Sequence, residues 1–153
     1  MNPEIIIFLA TKLHVIIVVT VLVYILFLYK EKRNQTLLLA LLTLPVAFIF
    51  GKVASLFIDN PRPFVVEGIT PLIQHIADNG FPSDHTLLAT TLACIVFVYN
   101  KPLGAILLGL SILVGVSRVL AGVHHYLDVS GSVLIAVFAT YLATVVIQRQ
   151  RLF

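Results

Sequence analysis

Apolar positions come in long unbroken runs, at about 8–29, 37–58, 84–99, 103–121 and 127–147, with short polar breaks between them. A run of roughly 20 apolar residues crosses a bilayer as a helix. The pattern therefore predicts an all-α, polytopic membrane helix bundle of about five transmembrane spans. The third run is short unless its helix begins at the Ser83 turn, and Pro82-Ser83 does carry a helix-start signal with Ser83 at the N-cap. The longest break, roughly 59–82, holds Pro61, Pro63, Gly68, Pro71, Gly80 and Pro82. Its apolar stretch from Ile69 to Ile76 is expected to lie at the membrane interface. Little chain is left for a soluble domain, so 1–153 is read as a single membrane domain.

Composition agrees. The chain is 59% hydrophobic and 11% charged, with a mean hydropathy of +1.06, whereas a soluble domain carries about 25% charged residues. A cleaved signal is not expected, because Glu4 stands where a basic segment should be and no small-x-small site follows the first run. The lone Cys94 lies mid-span and reads as a small packing residue.

The charges sort by side. Lys30, Lys32, Arg33, Lys101, Arg149 and Arg151 fall at the breaks that alternate spans place on one face, opposed only by Glu31. Glu4, Asp59, Glu67, Asp78, Asp84 and Asp128 fall on the other. Lys and Arg mark the cytoplasmic side, which predicts the N-terminus out and the C-terminus in. The net charge of +3 is then an orientation signal, and no nucleic-acid partner is expected.

Three polar segments converge on the acidic face: Pro61-Arg62-Pro63, Pro82-Ser83-Asp84-His85, and the stretch from Ser117-Arg118 through His124 to Asp128. Ionisable groups at membrane depth are costly and mark function. Ser83 and the free N–H groups of a helix start can hold an anion, with His85 able to exchange a proton; the plainer reading is an ordinary capped helix. His124 and Asp128, four apart, share a face if helical, so that the carboxylate can orient the imidazole for attack. The plainer reading there is a structural pair. Arg118 suits phosphate oxygens or snorkels, and Arg62 is a phosphate ligand or a solvated loop residue. Two arginines, two histidines and an aspartate on one face suit a dianion. His124, His125 and Asp128 also have the donor types for zinc, but the arginines would repel a cation.

With the three segments in order, the chain resembles the type-2 phosphatidic acid phosphatase superfamily, whose signature is K-xxxxxx-R-P, P-S-G-H and S-R-xxxxx-H-xxx-D. The third part is complete as Ser117, Arg118, His124 and Asp128. The second has Asp84 for glycine, and the first lacks its lysine at the strict position, Ser55. Lys52 lies one turn from there, about 4.5 Å along the axis, and is read either as a phosphate contact or as half of an internal ion pair. Arg62-Pro63-Phe64-Val65 and Pro82-Ser83-Asp84-His85 resemble the bacitracin-resistance branch of undecaprenyl-diphosphatases.

That resemblance implies a lipid phosphatase of the bacterial inner membrane, with no metal or other cofactor and with its site facing outward. His124 would attack the terminal phosphorus of undecaprenyl diphosphate, oriented by Asp128, and form a phosphohistidine. His85 would serve as acid and then base. Arg62, Arg118, Ser83 and the backbone at 84–85 would hold the phosphate. Asp84 is read as holding His85 protonated or as complementing the helix start, His125 as interfacial, His75 as a candidate for a second phosphate, and His14 as packing. The alternatives are a phosphatase of phosphatidylglycerol phosphate, phosphatidic acid or lipid A, and a non-enzymatic protein that binds or flips such lipids. Oligomeric state is not legible.

Overall fold

The computed structural model describes residues 2–150; Arg151, one of the cations assigned to the cytoplasmic side, lies outside them. Six helices follow in order: α1 (Pro3–Leu26), α2 (Lys30–Phe57), the single turn α3 (Pro63–Val66), α4 (Asp84–Tyr99), α5 (Lys101–Leu120) and α6 (Tyr126–Arg149). Four are long and apolar enough to cross a membrane, and α4 is the shorter apolar fifth. Helix starts carry the expected chemistry. Asn2 accepts from Glu4 N–H at 2.9 Å ahead of Pro3, and Asn100 accepts from Leu103 N–H at 3.1 Å ahead of α5. The helix α2 begins at Lys30, well before the apolar run at 37, because hydropathy reports the lipid-crossing part of a helix while its backbone ladder continues into the polar Lys30–Gln35 segment.

The short α4 is the hub. It touches α1, α2, α5 and α6, and its buried face is built of small side chains, Ala89, Thr90, Thr91, Ala93 and Cys94, that let neighbours approach closely. Ala89, Leu92, Ala93 and Val96 pack with Leu13, Ile17, Val21 and Ile25 of α1 and with Leu107 and Val114 of α5. Hydroxyls in this layer return to the backbone, as Thr91 does to Leu87 O at 2.7 Å. The outer surface carries exposed Phe8, Leu22, Leu41, Phe48, Leu134 and Phe138, an apolar belt of the kind that a bilayer covers. The protein is a multi-pass membrane protein.

At 16 residues, α4 is about 24 Å long, short of a hydrocarbon core about 30 Å thick. The 58–83 loop folds back over the bundle at the end where α4 starts. Leu72 N–H donates to Ala121 O at 2.9 Å, and Phe64 and Ile73 pack on Ile6, Ala10, Ala121 and Val123. The stretch from Ile69 to Ile76 is thus an irregular cover rather than a purely interfacial segment. It lays Ile73 on the bundle and leaves Ile76 exposed. This loop, the N-terminus and the α5–α6 turn share one end of the bundle. The α1–α2 and α4–α5 turns, with their lysines and arginines, occupy the other.

Candidate active site

The turn after α5 passes through Gly122 at φ +75, a left-handed conformation that glycine adopts without steric cost, and delivers His124 to the bundle's loop-covered end. Sequence spacing pairs His124 with Asp128 on one helical face. The pair forms, but by a different route: α6 starts at Tyr126 with His125 as its N-cap, so His124 lies outside the helix. Asp128 on the first turn reaches back instead. Its Oδ2 takes the His125 N–H at 2.8 Å and lies 3.2 Å from His124 Nδ1. A helix-capping carboxylate therefore also holds the imidazole. The His125 ring is not simply interfacial; its Nε2 lies 3.1 Å from Pro61 O, tying α6 to the loop.

The other ring nitrogen, His124 Nε2, faces two guanidinia. Arg62 Nη1 is 3.2 Å away and Arg118 Nη2 is 3.5 Å away. Arginine only donates, so the Nε2 lone pair points at them and the proton sits on Nδ1, against Asp128. Both arginines are buried, which excludes the solvated and the snorkelling readings. Arg62 is also held by Val123 O at 2.8 Å and by Asp78 Oδ1 at 2.6 Å. Burial pushes the His124 pKa below its ordinary value, and Arg118 and Arg62 add to this, while the Asp128 hydrogen bond opposes it. The geometry fits a neutral imidazole whose Nε2 lone pair is turned toward the two guanidinia. Burial alone would raise the Asp78 carboxyl, but its bond to Arg62 prevails and holds it below the usual range.

These groups line a cavity of about 370 Å³ together with Lys52, Ser55, His75, Asn79, Asp84 and His85. Of the expected residues, His124, His85, Arg62, Arg118, Asp84 and Lys52 meet here, with Asp128 immediately behind His124. Ser83 does not line it. It occupies the N-cap of α4, but its hydroxyl is buried and accepts from Thr86 Oγ1 at 3.0 Å. Ser83 is thus an anchor, as its carbonyl also accepts from Ser132 Oγ at 3.0 Å. The first N–H groups of α4, at Asp84 and His85, have no partner in the helix ladder and lie beside the cavity. Asp84 is exposed and makes no hydrogen bond or ion pair with His85 among the described residues, so the pairing expected to hold His85 protonated is not formed. Lys52 has no ion pair either; its Nζ leans one turn back, 5.3 Å from the centre of the Phe48 ring.

Three side chains matter more than their sequence context suggests. His14, expected to be packing, sets its ring edge-on to His85, centroids 4.3 Å apart. His75 lies on the cavity wall with its ring 6.2 Å from that of His124, its pKa lowered by burial and then by Arg62. Asn79 uses its whole amide, taking N–H bonds from Asn60 and Phe81 at 3.1 and 2.9 Å and giving bonds to Ser55 O and Ile58 O at 3.1 and 2.8 Å. In sequence, Asn60-Pro61 and Asn79-Gly80 read only as turn formers. Among the described residues, no three His, Cys, Asp or Glu side chains converge as a metal-binding group.

A family model described as the PAP2 superfamily matches residues 38–152. Over 141 residues the chain is 33% identical to the bacitracin transport permease protein BcrC of Bacillus licheniformis, covering 91% of this chain and 68% of that protein. Over 94 residues it is 35% identical to the undecaprenyl-diphosphatase BcrC of Bacillus subtilis, covering 61% of this chain and 49% of that one. Among solved structures, LpxE of Aquifex aeolicus superposes with a TM-score of 0.77 at 25% identity, covering 94% of this chain and 87% of LpxE.

Proposed function

The chain belongs to the PAP2 superfamily, and from that premise we propose that it hydrolyses the terminal phosphate of undecaprenyl diphosphate through a phosphohistidine on His124. As a PAP2 phosphatase it is a phosphoric-ester hydrolase; the substrate, the intermediate and the side of the membrane are our reading. The observation that carries it is the state of His124: Nδ1 on a buried carboxylate, Nε2 open to a cavity between two guanidinia.

A terminal phosphate entering the cavity takes over the bonds that Arg62 and Arg118 now direct at Nε2, so that they hold its non-bridging oxygens. The free N–H groups of α4 add donors that need no rearrangement. Nε2 then forms a bond to phosphorus as the bridging P–O bond breaks, and His85 gives a proton to the departing lipid monophosphate. Asp128 steadies the cation that forms on His124. Water next attacks the phosphohistidine, its proton passes to His85, the P–N bond breaks and inorganic phosphate leaves. Positioning and electrostatics carry such a transfer, and no step routes through a metal.

The prenyl diphosphate is favoured because the two curated relatives named above carry bacitracin or undecaprenyl-diphosphatase names. The excess of Lys and Arg at the opposite end of the bundle supports a site on the outer face of a bacterial cell membrane, with the N-terminus outside. The test is phosphate release by the detergent-purified protein in EDTA, comparing undecaprenyl diphosphate, phosphatidylglycerol phosphate and phosphatidic acid, with His124→Ala as control. Histidine-dependent release, fastest from the prenyl diphosphate, is expected. Preference for a glycerolipid would keep the mechanism and change the substrate. Binding without release from any of the three would support a lipid-binding protein instead.

A further inference from the structure

We propose that Asn60 is a positioning residue for the reaction, the third member of a His124–Asp128–Asn60 relay; the proposal rests on the phosphatase reading of the site. Asp128 is fully buried. Its Oδ2 is occupied by His124 Nδ1 and the His125 N–H, while its Oδ1 accepts from Asn60 Nδ2 at 2.7 Å. This is the shortest bond the carboxylate makes, and it comes from the loop rather than from α6. An anion accepting on both oxygens cannot rotate away from the imidazole, and a donor on Oδ1 favours the charged form.

Asn60 is itself held. Its N–H donates to Asn79 Oδ1 at 3.1 Å and its carbonyl accepts from Gly80 N–H at 2.9 Å. Asn79 in turn grips the end of α2 through Ser55 O and Ile58 O. Neither amide can be turned over: Asn79 Nδ2 meets only carbonyls and Oδ1 only N–H groups, and an inverted Asn60 would set oxygen against carboxylate. Gly80 belongs to the same clamp. A Cβ there would lie 2.9 Å from Asp128 Oδ2 and 3.0 Å from Asn60 O, so any side chain would push the carboxylate off its seat. The sequence between α2 and α4 thus supplies both a phosphate ligand, Arg62, and the support for the nucleophile's partner, two residues apart.

Asn60→Ala and Asn60→Asp in the full chain test this, with kcat, KM and pH profile measured on the lipid phosphate that the wild type hydrolyses fastest. Partners that orient a working imidazole from behind cost about 10- to 100-fold when removed, and that loss is expected in kcat for Asn60→Ala, with KM nearly unchanged. Asn60→Asp has the same shape and places a second carboxyl against Asp128. The pair shares a proton at low pH, which restores the donor, and loses it as pH rises. This variant should therefore lose activity more steeply toward alkaline pH than the wild type, whose own alkaline loss comes from His85 giving up its proton.

A readout independent of turnover is the His124 Nδ1 proton, followed by NMR with 15N-labelled histidine. Wild type should show it held in the bond to Asp128, and Asn60→Ala should show it shifted and exchanging faster with water. Unchanged kcat in Asn60→Ala, a loss confined to KM, or an Nδ1 proton undisturbed in both variants would overturn the proposal. If the wild type releases phosphate from no lipid, the function reading falls, and the Nδ1-proton comparison still decides the role of Asn60. Should Asn60→Ala fail to fold, the isosteric Asn60→Asp carries both readouts.

Discussion

The two walls of the cavity are built differently. On the α5–α6 wall, His124, Asp128, Arg118 and the Arg62 that leans against them are buried and bonded to one another and to the backbone. On the α2–α4 wall, Lys52 and Asp84 are exposed and form no ion pair among the described residues, and the His85 ring stands edge-on to His14. The first wall has the pre-organisation that a reacting phosphoryl group needs. The second has fewer such bonds among the described residues. A second cavity of about 310 Å³, lined by Leu44, Ala47, Phe48, Leu87, Leu88 and Thr91, adjoins that wall at Asp84.

Substitutions can break this contrast. The largest effect should come from the rigid wall: His124→Ala abolishes turnover, and Asp128→Asn, which spoils the tautomer, costs about 10⁴-fold in kcat. Next, Arg118→Lys keeps the charge but loses the planar fork, and a misplaced donor at a developing charge costs about 10²- to 10³-fold. On the α2–α4 wall, His85→Ala should depend on the leaving group. A general acid contributes about 10²- to 10⁴-fold, needed in full to expel an alkoxide from a lipid monophosphate but less to expel a phosphate from a diphosphate. Comparing the two substrates with this variant reads that directly. The smallest effect is Lys52→Ala, at most about fivefold, the scale of an exposed charge contact; a loss equal to that of Arg118→Lys would place Lys52 on the phosphate after all.

The pH profile sharpens the same comparison. Nucleophilic attack needs neutral His124, whose pKa lies below its ordinary value through burial and the arginines. Activity should therefore persist as pH falls through the usual histidine range and fail only below it. Arg118→Gln removes one of the charges that depress this pKa, so its acid limb should move to higher pH.

Much of this was legible in the chain. Five apolar runs gave the bundle, and Arg118, His124 and Asp128, close in sequence, stand together in the fold. What was missed depends on contacts distant in sequence. The buried stripe of α1, Ile6, Ala10, Leu13, Ile17, Val21 and Ile25, is invisible to hydropathy because the lipid-facing side is equally apolar. Ser83 was assigned to the phosphate by its N-cap position, whereas its hydroxyl turns inward to Thr86. Asn60 reaches Asp128 across 68 residues of sequence, and an asparagine before proline looks like any turn.

The covalent step is the centre of the account. Protein mixed with undecaprenyl diphosphate labelled at its terminal phosphate and quenched within milliseconds should carry the label on His124, acid-labile and alkali-stable, with none on His124→Ala and more on a variant slow in hydrolysis of the intermediate. Rapid phosphate release with no label on the protein at any time would mean that water attacks phosphorus directly, and His124 as nucleophile would be wrong.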